Sequence, residues 1–454
     1  MNHPRSARQV RFQPDVPLVL AMALVVLLWM AGGASREDVM GQVVTRAGCW
    51  AILAVAVIAG PKPVLTDVRP VVFFVVATTV LPLLQLIPLP PGWWQALPGR
   101  EMLTVPGDTP DWRPLTMVPG ATRNALASLV VPVTVLVVLS QANERLRAWL
   151  PTILFAAIGV AVLLGLLQFT GARFNSPLLN DPPGQVTSIF ANRNHFALLI
   201  AIGCLIAPVW ALLKKDALGW RGPVAAGMLL LFLLTILATG SRSGMFLGAI
   251  SVIFAAIMVW RRLQRRLTKA PIWMVAIIIA SATLVIAGLV ALSFLSGRAE
   301  AIDRLIGLDS SEDLRLTALP TVLEMVAIYM PYGSGFGGFD PLFRIYEPET
   351  FLRLDYFNQA HNDWLGIALD GGVPAIVLLA MAVTWWSIAT IRVWRARAEE
   401  AVLLGRLGSA IILLVLLASI TDYPARTPVI MAFVVIAAVW LARANNRPRT
   451  ALPG

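Results

Sequence analysis

The sequence predicts an all-α, polytopic integral membrane protein of about 12 transmembrane helices. Three observations carry that expectation. The 454 residues are 58% hydrophobic and only 13% charged, against roughly 45–50% and 25% in soluble domains. A chain so poor in charge could not cover a soluble surface, and its mean hydropathy of +0.76 agrees. Finally, the apolar residues gather into runs of about the 17–25 residues that a helix needs to cross a bilayer. The whole chain, 1–454, is therefore expected to form a single membrane-embedded domain.

The runs fall near 16–34, 44–60, 70–88, 124–140, 148–170, 194–213, 222–240, 243–260, 271–295, 364–391, 404–421 and 427–442. The first follows a basic segment (Arg5, Arg8, Arg11) and precedes small residues, as a signal peptide would. The many later spans favour a retained first helix over a cleaved one. An even number of spans puts both termini on one side. The two tails and the short connectors on that side hold most of the 36 Lys and Arg, including Lys62, Lys214, Lys215, Lys269 and the cluster Arg261, Arg262, Arg265, Arg266. The positive-inside rule makes this the cytoplasmic side. The charge of +11 and pI of about 10.5 then describe topology, and no nucleic-acid partner is expected.

The opposite face carries the longer loops. Segment 88–124, rich in Pro, Gly and Trp (Trp93, Trp94, Trp112), is expected to lie on the membrane interface. A shorter loop covers 171–193. The largest, about 296–363, separates spans 9 and 10, and within it Asp313–Tyr329 reads as a helix. Loops of this length between spans usually carry function.

The spans hold almost no ionisable groups away from their ends, which argues against a transporter or channel with polar groups at the bilayer midplane. Chemistry is expected at the outer interface instead. The distant Cys49 and Cys204 fit neither a disulfide framework nor a zinc site. Of the three histidines, His3 lies in the N-terminal tail. His195, in Asn192-Arg193-Asn194-His195, can be read as an interfacial helix-start residue. His361, in Gln359-Ala360-His361-Asn362-Asp363-Trp364, closes the long outer loop, where Asn362 or Asp363 could simply cap the next helix.

The turn Gly240-Ser241-Arg242-Ser243-Gly244 is either a plain hairpin with a snorkelling arginine or a phosphate site. In the latter, the guanidinium fork and exposed backbone N–H groups would match phosphate oxygens. Arg315 begins the loop helix, either as a solvated arginine or as a second anion ligand. No Asp-x-Asp pair, Gly-rich loop ending in Lys-Ser/Thr, or His-Glu-x-x-His occurs, so metal-assisted transfer and nucleotide hydrolysis lack sequence support. One imidazole and several arginines on one face suit a substrate with a lipid-anchored phosphate or diphosphate.

At these residues the chain resembles the O-antigen ligase family, whose superfamily includes the Wzy-type polysaccharide polymerases. The resemblance rests on His361-Asn362 followed by Asp370-Gly371-Gly372, on the loop Pro331-Tyr332-Gly333-Ser334-Gly335-Phe336-Gly337-Gly338-Phe339, on the hairpin Ser241-Arg242-Ser243-Gly244, and on Arg315. It is strongest from about 190 to 375. Position 370 is Asp where the family commonly has Glu.

The resemblance implies an enzyme of the bacterial inner membrane, with both termini cytoplasmic and its active site on the periplasmic face. Such an enzyme transfers a glycan from undecaprenyl diphosphate to lipid A–core, with no cofactor and no metal. His361, Arg242, Arg315 and, in Thr421-Asp422-Tyr423-Pro424, Asp422 are the implied catalytic residues. Ser241, Ser243, Gly335, Gly337, Asn362 and Arg193 are expected to touch substrate, with the Gly-rich loop letting backbone approach a sugar or phosphate. A polymerase adding repeat units to a growing glycan is the alternative, and a transporter of lipid-linked sugars a more distant one.

Overall fold

A computed structural model describes residues 15–36, 38–103, 111–172, 176–179, 184–213, 219–267, 311–349, 357–397 and 400–446. Its helices are α1 (Val16–Ala31), α2 (Met40–Ala59), α3 (Arg69–Gln85), the short α4 (Pro91–Gln95), α5 (Pro119–Ser128), α6 (Val130–Ser140), α7 (Glu144–Phe169), α8 (Arg193–Leu212), α9 (Arg221–Ala238), α10 (Arg242–Leu267), α11 (Ser311–Tyr329), α12 (Phe339–Tyr346), α13 (Asp363–Arg395), α14 (Glu400–Ala418) and α15 (Pro428–Asn445). The only sheet among the described residues is a two-residue antiparallel pairing, Pro88 with Pro114 and Leu89 with Arg113.

Among the described residues, 10 helical segments are long and apolar enough to cross a membrane. The expected first span is present as the shorter apolar helix α1. The expected ninth, 271–295, lies outside the described residues, as do 296–310 of the long loop, Lys214, Lys215 and Lys269. The span expected at 124–140 runs from Pro119 to Ser140 through α5 and α6. The helix expected at Asp313–Tyr329 is α11.

Helix starts follow local chemistry. Proline occupies the first turn of α1, α3, α5 and α15, where its missing N–H leaves no helical bond unmade. Asp15, Asn143, Asn192 and Asn362 accept from first-turn amides of α1, α7, α8 and α13. The bundle centres on α8, whose apolar window is 94% buried; α7, α9, α10 and α14 pack around it, and α14 packs on α15. Residues such as Ile58, Leu163 and Ile257 stay exposed, as lipid-facing positions should.

Two departures from regular helix shape the polar end of the bundle. In α13, Gly372 adopts φ 57° and breaks the helix. The Gly-rich loop takes up the released groups: Ser334 N–H donates to Leu369 O, Gly335 N–H to Asp370 O, and Val373 N–H to Pro331 O. Gln85 joins the same junction, donating to Asp370 O and accepting from Phe336 N–H. The second departure is formed by residues 88–103 and 111–118, which pack against α11. Buried Trp94 donates to Pro114 O, and Arg100, buried against Trp94 and Tyr329, donates to Pro98 O and Leu115 O. Burial lowers the pKa of Arg100, with Tyr329 and Glu101 opposing the shift. Trp93 and Trp112 of this segment remain exposed.

Candidate active site

The polar residues meet where the chain turns between α14 and α15. Asp422 sits in that turn with a side chain only 3% exposed, and three segments distant in sequence supply most of its surroundings. From the start of α8, Asn192 Nδ2 donates at 3.1 Å and Asn194 Nδ2 at 2.7 Å, both to Oδ2. The neighbouring Tyr423 N–H donates to Oδ1 at 2.9 Å. His361 Nδ1 stands 3.6 Å from Oδ1 and His195 Nε2 3.7 Å from the same oxygen. From α11, Arg315 brings Nη2 to 3.9 Å of Oδ2 while its Nη1 donates to Thr421 O at 3.1 Å.

The expected Gly/Ser turn joins this cluster through one bond. Ser241 Oγ donates to Asn194 Oδ1 at 2.7 Å, lies 3.2 Å from Ser243 Oγ, and accepts from Gly244 N–H. Gly240 makes the turn at φ 61°, and the Arg193 guanidinium lies over it, 3.9 Å from where a Cβ would stand. Arg242 follows as the first residue of α10. Arg193, Ser241, Arg242, Ser243, Arg315, His361 and Asp422 thus gather at one end of the bundle.

His361 is held in an unusual way. Its backbone lies in the left-handed region, φ 46°, which a non-glycine residue adopts only under strain. Its ring packs against Phe357 (centroids 5.0 Å apart) and Tyr423 (4.9 Å) and is 17% exposed. With Nδ1 turned toward Asp422, Nε2 is the nitrogen left to face a substrate. Asn362, the next residue, caps α13 by accepting from Leu365 N–H and donates to Ile420 O, so the protein itself employs its amide.

The charge states follow from these contacts. Burial opposes ionisation of Asp422, but the nearby His195 and His361 rings outweigh it and hold the carboxyl well below the usual carboxylate range. Burial pushes His361 below its ordinary value; Asp422 pulls it upward, while Arg315 and His195 push it further down. Asp422 is therefore an anion near neutral pH and His361 a neutral imidazole with a lone pair to offer. Burial and the Asp422 charge also raise Tyr423, which stays a phenol.

A second buried ionic group braces the first. Arg426 reaches Asp370 at 3.2 Å and Asp363 at 3.5 Å. Asp363 also accepts from Ser419 Oγ and Ala425 N–H, and Asp370 from Gly337 N–H at 3.3 Å. Burial works against the Arg426 charge, and the two carboxylates more than restore it. The group ties the first turns of α13 to the 419–427 turn and to the Gly-rich loop. Gly335 and Gly337 come close to protein rather than to open space: a Cβ on Gly335 would strike Thr116, and one on Gly337 would stand 2.9 Å from Ala121 O.

Sequence reasoning did not anticipate His195, which is 1% exposed and also shares a 3.1 Å hydrogen bond with Thr427 Oγ1. Nor did it find Asn194, Arg426 or Asp363, whose partners lie far along the chain. Among the described residues no group of three or more His, Cys, Asp or Glu is placed to hold a metal ion.

A bundle of membrane-length helices with a buried His/Asp/Arg cluster at one end has the layout of a polytopic membrane enzyme. Residues 227–380 match the family Wzy_C, described as O-antigen ligase. The match covers about a third of the chain and likens that segment to the O-antigen ligases, and the 10 membrane-length helices among the described residues agree with a multi-pass membrane protein. The match includes Arg242, Arg315 and His361 and stops short of Asp422, while His195 precedes it. No curated protein matches the chain.

Proposed function

We propose that the protein transfers a glycan from undecaprenyl diphosphate to a sugar hydroxyl of lipid A–core, on the periplasmic face of the inner membrane. The observation that carries this reading is the convergence of His361 and Arg315 on the buried Asp422 anion, beside the Ser241–Arg242–Ser243 turn. In the reaction the acceptor hydroxyl loses its proton to His361 Nε2, and its oxygen bonds to the anomeric carbon. The bond from that carbon to the diphosphate oxygen breaks, and undecaprenyl diphosphate leaves with the electron pair. Arg315 and Arg242, with Arg193 nearby, offset the charge that builds on the leaving group in a partly dry site. Asp422 orients the imidazole and stabilises its protonated form. General-base catalysis of this kind is worth about 10²–10⁴-fold.

An apolar cavity of about 350 Å³ lined by α3, α13, α14 and α15, with Asp363 and Ser419 in its wall, supports a substrate with a long hydrocarbon tail. The bilayer presents both lipid substrates in two dimensions, which supplies proximity. The test is a deletion strain. Loss of a ligase leaves bare core while lipid-linked polymer accumulates; core capped by a single repeat unit would instead make the acceptor a growing glycan and the enzyme a polymerase. Unchanged lipopolysaccharide and lipid-linked pools would reject both.

A further inference from the structure

Beside His361 lies a second cavity, of about 260 Å³, that differs in character from the apolar one. It is bounded by the start of α2, by α5 and by the strand of chain leading to His361, and its wall includes the amides and guanidinium groups of Gln42, Arg46, Asn124, Asn358, Gln359 and Arg426. The volume falls near the lower end of ordinary ligand pockets, about 300 Å³.

Three features indicate what it would hold. Four of the five charged residues in its wall face an opposite charge: Arg36 pairs with Asp38 at 2.6 Å, Asp340 with Arg344 at 2.9 Å, and Arg426 with Asp370 and Asp363. Arg46 donates to Asn124 Oδ1 and to Gln42 Oε1. The wall thus offers an occupant many hydrogen-bonding groups and little uncompensated charge, which suits a neutral polyhydroxyl molecule better than a phosphate. The buried Gln359 Oε1 has no hydrogen-bond partner in the protein, and a buried acceptor without a donor is costly unless a ligand or water supplies one. Lastly, the cavity communicates with the imidazole. Asn358 and Ser35, both in its wall, neighbour the Tyr423 side chain, whose ring packs on His361.

We propose that this cavity is a carbohydrate subsite that holds the acceptor sugar ring, with Gln359 accepting from one of its hydroxyls. The proposal rests on the glycosyl-transfer reading above and names the place from which His361 would receive its hydroxyl. The turn that carries Arg242 reaches Asp422 through Ser241 and Asn194, whereas the cavity reaches His361 through Tyr423. Donor diphosphate and acceptor ring would therefore approach by separate routes.

Two experiments on the full-length protein in lipid nanodiscs test it. In the first, Gln359→Cys is labelled with a methanethiosulfonate reagent, Cys49 and Cys204 being buried, and free glucose, galactose and N-acetylglucosamine are added in turn. Severalfold slower labelling with at least one sugar, and none with inorganic phosphate or ethylene glycol, is expected. Protection by phosphate alone, or by no sugar, overturns the proposal. This arm needs no turnover, so it remains decisive even if the protein transfers nothing from a polyprenyl diphosphate, an outcome that would reject the proposed function by itself. In the second, Gln359→Leu raises the KM for acceptor about tenfold, the scale of one lost hydrogen bond, and leaves the KM for donor unchanged. Gln359→Glu, which keeps an acceptor oxygen, restores the acceptor KM. A rise in the donor KM instead, or equal acceptor KM in Gln359→Leu and wild type, overturns the acceptor assignment.

Discussion

His361 carries both the chemistry proposed for the site and a strained backbone, and two substitutions separate these properties. His361→Ala and His361→Gly both remove the imidazole, with its contacts to Phe357 and Tyr423 and its approach to Asp422. They differ in the backbone. At φ 46° an alanine keeps a left-handed conformation that costs roughly 1–2 kcal/mol in an L-residue, and glycine adopts it freely. Against this, glycine loses about 0.5–1 kcal/mol more conformational entropy on folding than alanine. The balance favours His361→Gly over His361→Ala by roughly 0.5–1 kcal/mol, a factor of about 2–5 in the unfolding equilibrium. That order is the reverse of the one expected in a regular helix.

Both variants lose about 10²–10⁴-fold in kcat if the imidazole is the general base. Thermal unfolding in nanodiscs, followed by tryptophan fluorescence, reads the stability order, and transfer from a polyprenyl-diphosphate donor reads turnover. An alanine variant as stable as the glycine variant would refute the strain argument. Near-normal turnover in either one would refute the base assignment.

Other consequences of the geometry can be measured directly. Because His361 titrates below its ordinary value near 6.5, turnover should hold through neutral pH and fall only as pH drops through that lowered value, since acid protonates the base. Asp422→Asn removes the anion that pulls His361 upward, so the acid limb of kcat/KM against pH should move to still lower pH; a limb that moved up would contradict the assignment. His195→Phe keeps a ring but leaves Thr427 Oγ1 without its partner and Asp422 without a neighbour, and should lower stability by about 1–3 kcal/mol, seen as an earlier unfolding midpoint. Gly335→Ala combines φ 106° with a clash on Thr116 and should destabilise by at least about 1 kcal/mol, whereas Gly338→Ala, with only ordinary contacts at 3.4 Å, should unfold close to wild type.

The spans were legible because hydrocarbon imposes a simple rule of length and polarity, and α11 was legible from its pattern within the loop. His361 and the Ser241-Arg242-Ser243 turn stood out as polar groups at apolar helix ends. His195 occupies the same kind of position, yet nothing in Asn192-Arg193-Asn194-His195 distinguishes a solvated helix start from one folded against Asp422. That distinction depends on a contact between residues 227 positions apart, 195 and 422. The Arg426 group was hidden for a related reason: Asp363 and Asp370 look like the polar opening of a helix until the turn after α14 returns beside them. For Gly335 and Gly337 the sequence signalled a close approach without saying to what, and Thr116 and Ala121 are the near neighbours.

That dependence on distant contacts bears on how the enzyme is built. The segment that matches the family contains Arg242, Arg315 and His361, but the anion on which Arg315 and His361 converge comes from outside it, on the turn between α14 and α15. Asn192, Asn194 and His195, which hold that anion, come from before it. An isolated Asp422 buried in a bundle end would bear a large desolvation penalty. Here donors from α8, the Tyr423 amide, two imidazoles and Arg315 offset the penalty only when all these elements are packed. The carboxylate is thus ionised by the complete fold, and the same folding step sets His361 neutral and points its free nitrogen outward. Arg426 extends the coupling, because its bonds to Asp363 and Asp370 fix the turn bearing Asp422 against the helix that His361 precedes. The matched segment supplies the groups proposed to react, and the elements around it set their surroundings.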